Sequence, residues 1–118
     1  MAKRNTRAIA KLQEAQKIMR KLGRSQDTTA GMAFAQDLIN LLERGKHMEM
    51  TFGADNVTFK PDDVRVSRTR VMVANRMITM CKLVDGNGDK GSYQLGAFDD
   101  ENMPVQPLVI AIREKEMA

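Results

Sequence analysis

The segment from Asp85 to Gly91 has the residue types that bind calcium, because carboxylate and amide side chains alternate with glycines as at the start of a calcium-binding loop. The pattern fails at two positions. Lys90 stands where the sharp turn of such a loop needs glycine, and Gly96 stands where a bidentate glutamate would close the coordination sphere. We therefore predict a loop between two strands rather than a metal site.

His47 and Cys81 are the only residues of their types, and such a pair could form a thiol nucleophile and its base. Their positions do not favour this chemistry. Cys81 lies in an apolar run, where a small buried hydrophobic residue is its ordinary role, and His47 follows the end of a predicted helix. One His and one Cys also cannot supply the four ligands of a structural zinc site.

Two motifs for phosphate binding and hydrolysis are missing from the sequence, which contains no GxxxxGK[ST] and no GxSxG. The consecutive carboxylates Asp99, Asp100 and Glu101 are more typical of an acidic loop than of an acid site. We predict no catalytic residues, no metal ligands and no cofactor, and hence a protein that is not an enzyme.

Basic residues are concentrated at the N-terminus. The first 25 residues contain eight Lys or Arg against Glu14 alone, a net charge of +7, whereas the rest carry 11 basic and 14 acidic residues, a net charge of −3. A helix charged in this way would attract phosphates by counterion release. Four further arginines, Arg65, Arg68, Arg70 and Arg76, are predicted to cluster around a bulged strand and its turn, where they could extend the same surface. The predicted nucleic-acid-binding residues are Arg7, Lys11, Lys17, Arg20, Lys21, Arg24, Arg68 and Arg70.

A lysine-rich helix face also has plainer explanations. It is often only solvated, or it pairs with the acidic part of a neighbouring subunit. A membrane-surface helix is less favoured, because the apolar stripe lacks the Trp and Phe residues that anchor such helices.

The sequence predicts two amphipathic helices, of which the first holds most of these basic residues. Apolar residues recur at steps of three and four over residues 5–22 and again over 29–44. Asn5 or Thr6 could cap the start of the first helix, and Gly23 could end it in a left-handed conformation. Thr28 or Thr29 could cap the second helix, and Gly45 could end it in the same way. The short polar loop between the two predicts an antiparallel helical hairpin over residues 1–45.

After His47 the apolar period changes to two, which indicates strands. We predict an antiparallel sheet of four to five strands over residues 46–113, followed by a tail at 114–118. Within residues 64–74, the valines lie at even-numbered positions before Ser67 and Arg68 and at odd-numbered positions after them. A continuous strand would put these two sets on opposite faces, so the chain must break or bulge there. Asn75 with the following arginine would form a tight turn.

The segments Met77–Val84 and Leu108–Ile112 are apolar on both faces, which is typical of central strands. A helical hairpin covers only one face of a sheet. The other face then needs a cover, and the simplest one is a second copy of the chain. We therefore predict a homo-oligomer.

Length and composition fit one intracellular α+β domain. The chain has 118 residues, of which 42% are hydrophobic and 29% charged, as in ordinary globular proteins. Because Cys81 is the only cysteine and no apolar run reaches the roughly 18 to 20 residues that span a bilayer, we expect a cytoplasmic protein without a membrane partner.

The sequence supports a non-enzymatic nucleic-acid-binding accessory protein that acts through its N-terminal helix. Two alternatives stay open. One is a protein-binding modulator or inhibitor that docks as a homo-oligomer through a methionine-rich apolar surface, since the chain has ten methionines. The other is a module that captures a small anionic ligand, such as a nucleotide, at a subunit interface.

Overall fold

A computed structural model describes residues 5–85, 92–95 and 108–115 of the chain. In this part, two helices precede two antiparallel sheets, so the predicted α+β fold is confirmed. Residues 86–91, which hold most of the calcium-like sequence, lie outside the described residues.

The first helix, α1, spans Thr6–Leu22 and buries an apolar stripe that includes Leu12 and Met19. Asn5 caps it, because its Oδ1 accepts a hydrogen bond from the Ala8 N–H at 3.0 Å. The prediction of a left-handed Gly23 is wrong, since its φ is −55°. The next amides donate back to the helix end instead, so the turn closes without a left-handed residue.

The second helix, α2, spans Thr29–Arg44 and ends at Gly45, whose φ of 66° confirms the predicted left-handed residue. Thr28 holds the cap position, but its hydroxyl donates to the Met19 carbonyl at 2.6 Å and so ties α2 to α1. Asp27 takes over the capping role, because its carboxylate accepts from the Thr29 N–H at 3.0 Å.

Five strands form the larger sheet in the order β2-β1-β8-β7-β6, and three form the smaller one in the order β3-β4-β5. In chain order the strands are β1 (Met48–Phe52), β2 (Asp55–Phe59), β3 (Val64–Ser67), β4 (Arg70–Val73), β5 (Arg76–Thr79), β6 (Leu83–Asp85), β7 (Ser92–Leu95) and β8 (Leu108–Glu114). All pairings are antiparallel. The last strand reaches one residue into the predicted tail.

The predicted break near Ser67 is a hairpin turn rather than a bulge. Ser67 pairs with Arg70, so Arg68 and Thr69 form a two-residue loop, and Arg68 has a φ of 55°. A reversal of the chain explains the change of valine parity as well as a bulge would. This loop is called the β3–β4 turn below.

A second hairpin joins β4 and β5 one residue earlier than predicted. Its loop consists of Ala74 and Asn75, with φ values of 49° and 64°, whereas Arg76 already belongs to β5. Positive φ at both positions is the condition for a type I′ turn, which suits two-residue hairpins.

The prediction of one two-sided strand over Met77–Val84 is wrong. A 3₁₀ turn at Met80–Lys82 interrupts it, and the two halves belong to different sheets. Met77 is 51% exposed and Val84 is 56% exposed, so neither segment is covered on both faces. The homo-oligomer was predicted because this segment was expected to form one strand covered on both faces, and the structure does not contain such a strand here.

The core lies between the helices and the inner faces of both sheets. The larger sheet contributes Met48, Met50, Phe59, Leu83, Tyr93 and Ile110, and the smaller one contributes Val64, Val71, Val73 and Ile78. Alternating side chains point away from this core, so the outer faces of both sheets are open in the described structure.

The outer face of the larger sheet is mainly polar across β1, β2 and β8. The Arg113 guanidinium donates to Thr51 Oγ1 at 3.0 Å and to the Glu49 carboxylate, while Thr51 Oγ1 donates to Asn56 Oδ1 at 2.9 Å. Polar cross-strand pairs of this kind are typical of a sheet face in water.

Candidate nucleic-acid interface

The outer side of α1 carries three basic residues, and a fourth follows two residues past its end, at an overall spacing of i, i+3, i+4 and i+7. They are Lys17, Arg20, Lys21 and Arg24, here called the outer basic stripe. All four are exposed. Because about 3.6 residues make one helical turn, this spacing places them on one side, opposite the buried Leu12 and Met19.

Within residues 5–85, 92–95 and 108–115, none of the four cations of the outer basic stripe forms an ion pair. Glu14 is the only acidic residue on α1, and it forms none either among the described residues. The stripe is therefore available to a polyanion in water.

Arg7 and Lys11 lie apart from that stripe, on the flank of α1 that faces β3. Together with Arg65 and Asp62 they line a groove of about 420 Å³. Asn5 fixes this arrangement, because its amide donates to the carbonyl oxygen of Pro61, just before β3, at 2.7 Å and to that of Val64, the first residue of β3, at 3.1 Å. Three cations thus border one concavity, and the Asp62 carboxylate offsets part of their charge.

Arg68 and Arg70 lie at the β3–β4 turn, beside the C-terminal half of α1. A second groove of about 480 Å³ separates this turn from Ile18 and Leu22 of the helix. Both arginines are exposed. The structure therefore brings all eight predicted residues to α1 and the adjoining hairpin, although in three groups rather than in one patch.

Arg76 does not join these groups. Its guanidinium pairs with the Asp55 carboxylate at 2.9 Å and lies 5.2 Å from the centre of the Phe52 ring. Arg76 pairs in register with the buried Val73, so its side chain leaves the small sheet on the inner face and turns toward β1 and β2. The predicted cluster of four arginines is therefore reduced to three.

Sequence reasoning did not place Arg65 among the binding residues. Successive side chains of a strand point to opposite faces, so Arg65 points outward from β3 because its neighbour Val64 is buried. This much can be predicted from the sequence. Its approach to Arg7 and Lys11 depends on α1 packing beside β3, and nothing local in the sequence reports that contact.

The two residues considered for nucleophilic chemistry lie apart. His47 is exposed at the start of β1, while the Cys81 thiol is half-buried with its Sγ 3.9 Å from Thr69 Oγ1. In the part of the chain that the structure describes, no group of three or more His, Cys, Asp or Glu residues could hold a metal ion. No described helix is long and apolar enough to cross a membrane.

The arrangement is one of exposed cations on a helix and a neighbouring hairpin, bordered by grooves. Such a surface can neutralise several phosphates at once. Comparison with protein-family models, with curated proteins and with solved structures found no match for this chain.

Proposed function

We propose that this chain is a non-enzymatic, cytoplasmic nucleic-acid-binding protein that holds the phosphate backbone against the outer basic stripe of α1. The observation that carries the proposal is the spacing of four exposed cations on one side of the helix, without an ion pair in the described structure. Each cation that meets a phosphate would release condensed counterions, which is the main source of such affinity.

The β3–β4 turn extends the proposed contact. Arg68 and Arg70 stand across a groove from Ile18 and Leu22 of α1, so a nucleic acid that continues from the stripe over this groove would contact both. Contacts of this kind position a nucleic acid without reading its sequence. We therefore expect weak sequence preference.

The test is the salt dependence of binding to a short oligonucleotide, measured by fluorescence anisotropy. Replacing Lys17, Arg20, Lys21 and Arg24 by Gln should lower the slope of log affinity against log salt by roughly 3, at about 0.7 to 0.9 per contact. Gln keeps helix propensity, so circular dichroism should show an unchanged fold.

A matched control uses the same residue types at the opposite end of the helical hairpin. The pair Arg20→Gln and Lys21→Gln is compared with Arg44→Gln and Lys46→Gln, which remove the same charge together with two ion pairs to the half-buried Glu114 carboxylate. Only the first pair should lower the slope. Absence of binding by the parent at low salt, or an equal slope for both pairs, would refute the proposal.

Capture of a small anion is the second candidate, and what supports it is the groove that Arg7, Lys11 and Arg65 share. Inorganic phosphate or nucleotides should then raise the melting temperature of the parent but not that of Arg65→Gln. The sequence placed such a site at a subunit interface, whereas this groove lies within one chain.

The homo-oligomer and the protein-binding modulator stay predictions. Sedimentation velocity tests the first, because a monomer has a mass of 13.2 kDa. If nucleic acid does not bind, the exposed methionines of the small sheet become the surface on which the second would depend.

A further inference from the structure

The outer face of the small sheet combines exposed methionines with arginines. Across its three strands Arg65 lies opposite Met72, and Met72 lies opposite Met77. Met72 is 43% exposed and Met77 is 51% exposed. Arg70 lies on the same face of β4, two residues from Met72. These four residues are here called the Met72 face.

The Met72 face adjoins the basic surface of α1. Arg65 lines the groove that also holds Arg7 and Lys11. Arg70 lines the groove that separates the β3–β4 turn from the C-terminal half of α1. A ligand bound to the helix would therefore meet two arginines first and then the paired methionines.

We propose that the ligand is single-stranded nucleic acid, with its bases resting on Met72 and Met77 while the phosphates contact Arg65, Arg70 and α1. This inference rests on the proposed function. Unstacked bases are flat and apolar on their faces, and the polarisable thioether of methionine packs well against aromatic rings. The arginines beside the methionines supply the charge that a backbone requires.

Duplex nucleic acid fits this face less well. The major groove of a duplex admits a helix or a two-stranded ribbon, and its bases present only their edges there. The Met72 face is three strands wide, about 4.8 Å from strand to strand, and α1 packs beside its β3 edge. Such a broad surface cannot enter the groove, whereas single-stranded bases can lie flat on it.

An acidic protein segment with apolar side chains is the other occupant to consider. The unpaired cations of α1 favour nucleic acid, because a regular row of phosphates can engage the helix and the sheet at the same time. A protein partner would have to supply a matching row of carboxylates along α1.

The first measurement compares three ligands of equal length with the parent protein at one salt concentration. They are an oligothymidylate, a duplex and an abasic strand that keeps the phosphates but lacks bases. We expect the oligothymidylate to bind about tenfold more tightly than either of the others. This comparison needs no variant and so does not depend on the folding of one.

The second measurement replaces Met72 and Met77 by Thr, which suits exposed strand positions. Affinity for the oligothymidylate should fall about tenfold, while the salt slope should not change, because no charge is removed. Arg65→Gln with Arg70→Gln should instead lower the slope by roughly 1.4, at about 0.7 per phosphate contact on a single strand.

The matched control replaces Val84 and Val109 by Thr. These are the exposed apolar residues of the larger sheet, at 56% and 39%, and binding should not change. Equal affinity for the three ligands, or a Met72→Thr, Met77→Thr variant that binds as the parent does, would overturn this inference while leaving the role of α1 intact. A parent that binds none of the ligands would refute the proposed function itself.

Discussion

Gly31 lies where α2 packs closely against the Met80 backbone and the Met19 side chain. A Cβ atom there would lie 2.3 Å from the Met80 carbonyl oxygen and 2.8 Å from the Met19 Sδ. The backbone oxygen cannot move aside as a side chain can, so only glycine allows this packing.

The expected result of Gly31→Ala is a loss of about 1 to 3 kcal/mol in the free energy of unfolding, the usual cost of overpacking a core. Urea denaturation measures it. Gly23→Ala is the control, because its nearest neighbour, the Arg20 carbonyl oxygen, would be 3.3 Å away and its φ is negative. That exposed change should stay within about 0.5 kcal/mol. Equal losses for the two variants would contradict the close packing.

Among the described residues, Asp27 has a protonation equilibrium that the fold shifts. The Thr29 backbone N–H, and after it the Thr29 hydroxyl, hold the pKa of the Asp27 carboxyl below its ordinary value of 3.8. The folded state therefore favours the ionised form. The resulting stability is present above about pH 3.8 and is lost as the pH falls through the lowered pKa.

An NMR titration of the Asp27 carboxyl should give a midpoint below 3.8. Thr29→Val removes the hydroxyl but keeps the N–H, so the midpoint should rise only part of the way back. A midpoint at 3.8 or above in the parent would show that the cap bond does not form in solution.

At the scale of elements, Asn5 joins α1 to the small sheet. Its Oδ1 caps the helix, and its amide donates to the Pro61 carbonyl at 2.7 Å and to the Val64 carbonyl at 3.1 Å. One side chain thus sets both the start of α1 and its distance from β3. The positions of Arg7 and Lys11 depend on it.

Asn5→Ala should cost about 1 to 2 kcal/mol of unfolding free energy, at the upper end for a lost cap, because two partly buried carbonyls also lose their donor. Asn5→Ser keeps a capping oxygen and should cost less. Thermal denaturation followed by circular dichroism separates the two. A smaller loss for Ala than for Ser would show that the cap contributes nothing.

Both helices could be predicted from the sequence, because the apolar stripe and the caps are local. The strands could be predicted as a region, whereas their ends could not. The changed valine parity at Ser67 fits a bulge or a hairpin equally, and only the pairing partner decides between them. The 3₁₀ turn between Met77 and Val84 could not be predicted, because the sequence is apolar on both sides of it. The apolar side chains of the two halves enter different parts of the core.

The candidate site was predictable to the same extent. The outer basic stripe follows from helical spacing alone, so Lys17 to Arg24 could be grouped before the fold was known. Arg65 could not be added, because its place depends on how α1 packs on β3. Arg76 could not be removed either, since its partners Asp55 and Phe52 lie on other strands.

At the scale of the whole molecule, Met80 is buried within its own chain. It is fully buried in the 3₁₀ turn that packs on α2, so it is not an exposed interface residue. Met80→Glu should therefore unfold the monomer rather than dissociate an assembly, because a desolvated carboxylate would have no partner there.

Urea denaturation and sedimentation velocity together test this expectation. Met77→Glu is the matched control three residues earlier, and with a side chain that is 51% exposed it should leave the unfolding free energy within about 0.5 kcal/mol. A folded Met80→Glu monomer beside an oligomeric parent would instead place Met80 at an interface.

The 3₁₀ turn at Met80–Lys82 also decides how the molecule can open. The chain leaves the small sheet and enters the larger one through this turn, which packs on α2 and is held by a hydrogen bond from the Met80 N–H to the Thr69 carbonyl at 2.8 Å. Neither sheet can separate from the helices without moving this joint. The two sheets should therefore open as one cooperative unit, and the Met80 amide should exchange its hydrogen with deuterated water only when the whole chain unfolds.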